Sequence, residues 1–169
     1  MKFFLGITFF IFASAAFGQN KLADRIYYGG GGGFSAGTDF VNISLSPQVG
    51  YKITERYSAG IGLTYQYVRF TNIGESISNY GWSVFNRYNI TEQFFGYGEF
   101  ERLSFQQDFE NTQRQGFNSL FFGLGFSNRI GGNAAFNTMV LYNVLYVENE
   151  PSPYRSPWVI RVGVGVGLF

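Results

Sequence analysis

Neither cysteine nor histidine occurs anywhere in this 169-residue chain. Without cysteine there is no disulfide framework and no thiolate metal site. Without histidine there is no Ser-His-Asp triad, no Cys-His pair and no imidazole ligand for a metal. Catalysis, a metal and a cofactor are therefore not expected. Charge is scarce at 14 % of residues, against about 25 % in ordinary soluble domains. No basic stripe or Lys/Arg cluster marks a nucleic-acid binder. Proline occurs 4 times, so little interrupts extended structure. Beyond the first residues no apolar run reaches the 18 needed for a spanning helix. A match to G-x-G-x-x-A at Gly31, Gly33 and Ala36 is followed by no helical pattern, so a dinucleotide site is set aside.

What is abundant is glycine (23), phenylalanine (21) and tyrosine (12). An aromatic content this high argues against disorder, and the length suits one domain. Residues 1–18 have the form of a secretory signal peptide. Met1-Lys2 is the charged start, Phe3 to Phe12 the apolar core, and Ala16 and Gly18 the small residues before a cut at Gly18/Gln19. Without Lys2 the basic count falls from 12 to 11, equal to the acidic count. Residues 19–169 then form a single exported domain.

A short turn occurs twice, 37 residues apart. Tyr51-Lys52-Ile53-Thr54-Glu55-Arg56-Tyr57 returns as Tyr88-Asn89-Ile90-Thr91-Glu92-Gln93-Phe94, and Asn128 to Asn133 is a degenerate third copy. Between these turns apolar and polar residues alternate with period two, the mark of a strand with two unlike faces. The last run is the cleanest: Trp158, Ile160, Val162, Val164, Val166 and Leu168 alternate with Arg161, Gly163, Gly165 and Gly167. Eight strands of about 10–13 residues are predicted, longer than the usual 5–6 and close to the length that crosses a bilayer. Three longer connections are expected at Thr71–Asn79, Gln106–Gln115 and Glu148–Pro157. Short turns at one end and long loops at the other give an all-β, eight-stranded antiparallel up-and-down transmembrane β-barrel.

On this reading large apolar groups face outward to lipid, and glycine, serine and charge face a narrow lumen. Aromatic residues at strand ends form a double girdle. Tyr51, Tyr57, Tyr88 and Phe94 stand beside the short turns, and Tyr67, Tyr80, Trp82, Tyr146 and Trp158 beside the long loops. No charge is expected on the outward face in mid-strand. Arg87, Glu99, Glu101, Arg129 and Arg161 share the inward parity and are expected to form a lumenal charge network. In it Arg87 would pair with a glutamate of the following strand. A binding or proton-relay site on these residues requires a cavity, which the sequence does not announce.

Pro47-Gln48-Val49-Gly50-Tyr51, Ile53-Thr54-Glu55, Gly60 to Tyr65 and Phe95 to Glu101 together resemble the small outer-membrane β-barrel domains common in Bacteroidetes. Those domains are broadly similar to OmpA/OmpX-type barrels. The resemblance spans essentially the whole exported chain and implies insertion into outer-membrane lipid by the barrel-assembly machinery. It also implies that a terminal aromatic, here Phe169, is the assembly signal, although Phe169 sits on the glycine parity. The function expected is that of a non-enzymatic outer-membrane barrel, structural or adhesive through its longer loops, its extracellular partner unspecified. The alternatives are a narrow transport or binding barrel for a small or apolar ligand, which needs an open lumen or lateral gap, and a secreted lipocalin-like carrier with its aromatic face turned inward.

Overall fold

The computed structural model describes residues 24–36, 38, 40–106, 114–148, 152–154 and 156–167. The expected leader, its cleavage site, Leu168 and Phe169 lie outside the described residues. Eight strands follow one another: β1 (Ile26–Ala36), β2 (Phe40–Lys52), β3 (Tyr57–Phe70), β4 (Ser76–Asn89), β5 (Phe94–Gln106), β6 (Arg114–Gly131), β7 (Ala134–Asn143) and β8 (Trp158–Val166). Each pairs antiparallel with its neighbours in sequence, and β1 pairs with β8 to close the barrel. No helix occurs among the described residues.

The repeated turns are built alike, which explains the repeat. Thr54 Oγ1 accepts hydrogen bonds from the backbone N–H of Arg56 and of Tyr57, at 3.3 and 2.9 Å. Thr91 Oγ1 accepts from Gln93 and Phe94 at 3.2 and 2.9 Å. In each turn the isoleucine N–H then bonds across to the aromatic carbonyl, Ile53 to Tyr57 and Ile90 to Phe94, both at 2.9 Å. A threonine that satisfies its own turn's donors is a compact way to reverse a strand. The third turn solves the problem differently. It has a bulge between Arg129 and Gly131, and Gly132 at φ +54° takes the left-handed conformation open to glycine.

The strands run further than the alternation alone suggests. β4 begins at Ser76 and β6 at Arg114, so the expected loops Thr71–Asn79 and Gln106–Gln115 shrink to residues 71–75 and 107–113. The outward residues show why. Below Tyr65, Tyr80, Trp82 and Leu120 most are large and apolar, with Asn86, Gly98 and Thr138 among the exceptions, whereas above that level they are Arg69, Ser78, Arg102, Arg114 and Asn118. The long strands β3 to β6 therefore carry a polar extension above an apolar belt. The belt is about as tall as β8, which has 9 residues.

The belt faces outward all round. Trp82, Ile160 and Val164 are 46, 72 and 45 % exposed, while Glu99 and Glu101 are 3 and 2 % exposed. The alternating apolar face thus turns outward, the reverse of what a lipocalin-like carrier requires, and a second set of rings fills the interior. The interior core is an aromatic cluster of Tyr27, Phe85, Phe95, Tyr97 and Phe121 with Leu141. Four of these six side chains lie over a glycine of an adjacent strand: Tyr27 over Gly50, Phe85 over Gly60, Phe95 over Gly125, Leu141 over Gly123. A Cβ on Gly125 would lie 2.2 Å from the Phe95 ring. These glycines make room for particular side chains in a barrel whose width barely admits them.

Candidate functional site

Three of the five inward charges meet in the lumen. Glu99 and Glu101 alternate on β5 and therefore point the same way. Arg161 reaches them from β8, across the barrel. Its Nη1 lies 2.6 Å from Glu99 Oε2 and its Nη2 lies 3.7 Å from Glu101 Oε2. The guanidinium also stands 4.6 Å from the centre of the Phe121 ring. Further donors reach both carboxylates. Tyr97 Oη donates to Glu99 Oε2 at 2.8 Å and receives Gln48 Nε2 at 3.0 Å. Thr64 Oγ1 donates to Glu101 Oε2 at 3.5 Å, and Tyr154 Oη donates to Glu101 Oε1. Pairing of this kind offsets the cost of burying the three charges.

Tyr154 belongs to the connection between β7 and β8, yet its ring dips into the lumen. It meets Phe121 edge-on at 5.3 Å and Phe117 at 6.5 Å. Burial, and then the charge of Glu101, push its hydroxyl well above its ordinary value. The group therefore stays protonated and remains a donor.

Arg87 does not join this cluster. The expected pairing with a glutamate of β5 is replaced by Arg161, because Glu99 and Glu101 lie further from the short turns than Arg87 does. In the register Arg87 faces Tyr97, and Phe85 faces Glu99. Instead Arg87 Nε donates to Asn89 Oδ1 at 2.9 Å and Nη1 to Asn137 Oδ1 at 3.3 Å. Its guanidinium lies 3.6 Å over the Phe95 ring. It is 6 % exposed, and among the described residues no carboxylate pairs with it. Tyr27 Oη bonds Ser58 Oγ at 3.0 Å beside it. These four groups separate the main lumen from a small recess near the first turn. Arg129 also stands apart, exposed at the short-turn end of β6.

The girdle residues divide as well. Tyr57, Tyr88 and Phe94 are exposed near the short turns, and Tyr51 is half-buried there. Tyr80 and Trp158 are exposed toward the other end, and Tyr67 is half-buried. Trp82 stands midway along β4 rather than at its end, but at the upper margin of the apolar belt. Tyr146 falls beyond β7, in the connection to β8. Arg102 departs from the expectation of an uncharged outward face. It points outward from β5 at the belt's margin and donates from Nη1 to Asn118 Oδ1 at 2.9 Å.

The lumen holds a cavity of about 340 Å³, where the alternation suggests only packed side chains. Its floor is Tyr27, Phe95, Arg87 and Asn137, and Glu101, Tyr154 and Arg161 stand above. One side is lined by Gly29 to Gly32 of β1 together with Ile160, Val162 and Val164 of β8. β8 residues of both parities, from Val159 to Gly165, line it, so the cavity runs along the backbone of the β1–β8 wall. No protein-family model matches this chain, and no curated protein matches it.

Proposed function

We propose that this chain is a non-enzymatic β-barrel protein of the bacterial outer membrane. The observation that carries the reading is the polarity of the wall, apolar outside and ionic inside. A continuous exposed belt of leucine, isoleucine, valine and aromatic rings far exceeds the few hundred Å² of apolar patch usual on a soluble monomer. In a bilayer the same belt is solvated by acyl chains, while a closed barrel leaves few backbone groups unpaired. Arg69, Arg102 and Arg114 above the belt suit the headgroup level; Arg114 lies 4.3 Å over the Tyr80 ring. Insertion by the barrel-assembly machinery follows from the same reading.

Of the two roles open to such a barrel, the cavity favours ligand binding over a purely structural or adhesive one. The decisive experiment is membrane fractionation followed by a heat-modifiability gel. The folded barrel is expected to require detergent and to migrate faster unboiled than boiled. Recovery in the aqueous fraction, with no such shift, would sink the assignment.

A further inference from the structure

The wall is not closed to the same extent everywhere. β3 pairs with β4 through 13 residue pairs, and β5 with β6 through 13. β1 pairs with β8 through 4, from Tyr28↔Val166 to Gly31↔Gly163. Both strands continue beyond that point, β1 to Ala36 and β8 back to Trp158. Had the ladder continued, Gly32 would face Val162 and Ala36 would face Trp158. Each strand keeps its other partner: β1 pairs with β2 up to Ala36↔Val41, and β8 with β7 up to Trp158↔Tyr142. The break is therefore confined to the seam. It lies within the apolar belt, because β8 spans the belt's height.

Ladder edges left unpaired at that depth are costly in a hydrocarbon environment and are tolerated where they line a cavity. The seam lines one. Of the unpaired stretch, Gly32 on the β1 side, which has no side chain, and Ile160 and Val162 on the β8 side line it. At the far end of the same cavity lies Arg87, a buried guanidinium without a carboxylate partner among the described residues. At the near end two carboxylates share one guanidinium. The near end is thus net negative and disfavours an anionic head, the Arg87 end favours one, and an apolar tail is left at the seam.

Resting on the membrane reading above, the geometry points to a binding site for a single-chain amphiphile with a carboxylate head, of the long-chain fatty acid class, admitted sideways between β1 and β8. The head takes the guanidinium donors of Arg87 that Asn89 and Asn137 leave free. The tail lies along Phe85 and the β1 glycines and leaves through the gap beside Val162. A volume of about 340 Å³ is near the lower end for small-molecule pockets, about 300–1,000 Å³. It suits one chain rather than a two-chain lipid. Because Tyr154 occupies the lumen above, and the Tyr27–Ser58 and Arg87–Asn89 contacts floor it, the site is a pocket with a side door and not a through-pore.

The test uses the full chain folded into bilayer discs of neutral phosphatidylcholine, with [1-¹³C]palmitate as probe and its carboxyl resonance as readout. Palmitate is expected to bind saturably at about one per chain. Arg87→Gln should weaken it at least about tenfold, Arg87→Lys should retain most of it, and hexadecanol should compete poorly. Equal binding of palmitate to wild type and Arg87→Gln, or equal competition by hexadecanol, overturns the anion seat. Should Arg87→Gln fail to fold by the heat-modifiability gel, the lysine variant and the hexadecanol competition decide. For the door, Gly32→Cys with Val162→Cys adds a reversible clasp to a chain that has no other cysteine. A Cβ on Gly32 meets only ordinary contacts, Ser44 O at 3.4 Å and Leu45 Cδ2 at 3.6 Å. The oxidised clasp should block loading and reduction should restore it. Unimpeded loading of the clasped form overturns lateral access. A folded, detergent-requiring barrel that takes no palmitate overturns the site alone. A water-soluble chain that still binds palmitate overturns the membrane reading alone.

Discussion

The two halves of the barrel share one alternation and differ in what it turns inward. From β4 to β7 the inward positions carry Phe85, Phe95, Tyr97, Phe121 and Leu141, packed to nearly zero exposure. From β8 through β1 to β3 they carry Gly29, Gly31, Ser44, Ser46, Gln48, Thr64 and Gly163, and the cavity lies against them. The outer face does not report this difference, since apolar groups cover both halves. One wall is thus braced from within, and the other is held mainly by its backbone ladders. At the seam even those ladders are short.

Breaking the ionic brace between the halves should have the largest effect. Arg161→Ala leaves Glu99 and Glu101 buried without their cation, and a loss of about 3–5 kcal/mol is expected, read from urea unfolding of the folded barrel in detergent. Arg87→Gln strands no carboxylate, so a smaller loss of about 1–3 kcal/mol is expected in the same measurement. A parallel loss for both would mean that the carboxylates answer to both arginines.

Identical substitutions in the two halves sharpen the contrast. Gly125→Ala drives a methyl group into the Phe95 ring of the packed half and should cost about 1–3 kcal/mol. Gly62→Ala meets Ser83 Oγ at 2.7 Å and Gln48 Cγ at 3.1 Å, a hydroxyl that can rotate and a side chain that lines the cavity and can turn into it. There the cost is expected to be offset by the reduced freedom of the unfolded chain, leaving less than about 1 kcal/mol. Equal melting losses for the two variants would show that the hollow half is as tightly filled as the other.

The repeated turns offer a control, since they serve both halves with the same contacts. Thr54→Ala and Thr91→Ala should each cost about 0.5–1.5 kcal/mol and by similar amounts. The smallest effect concerns Tyr154. Its hydroxyl is favoured in the protonated state by burial, so the stability it lends is complete below the ordinary tyrosine value of 10.0. That stability is lost as pH rises through the higher folded value. Absorbance of tyrosinate should contain a late component that Tyr154→Phe removes. An unchanged titration would mean that Tyr154 does not sit in the lumen in solution.

Much of the fold was legible because strand alternation is a local property. The inward parity of Glu99, Glu101 and Arg161 follows from period two alone. Partner choice was not legible. Arg161 and Glu99 meet across the barrel, and parity says which way a residue points, not what it meets. Double aromatic steps such as Phe94-Phe95 and Phe121-Phe122 hid the packed interior, since each supplies both faces at once. Met139 and Leu141 blurred β7 for the same reason: they fill the lumen beside outward-facing Val140 and Tyr142. The cavity left no trace because glycine has no side chain to pattern. Polar outward residues such as Ser78 and Arg114 made the upper strand ends read as loops.

Every ladder but one joins strands that are consecutive in the chain, and β1 and β8 both meet the short-turn end. A permuted gene, opened at the Ile90–Gln93 turn and joined through a linker between Gly167 and Arg25, would make β8 and β1 an ordinary hairpin. The loose edge would then move to β4 and β5, where 10 pairs already hold. The sideways opening would thereby be separated from the place where the polypeptide begins and ends.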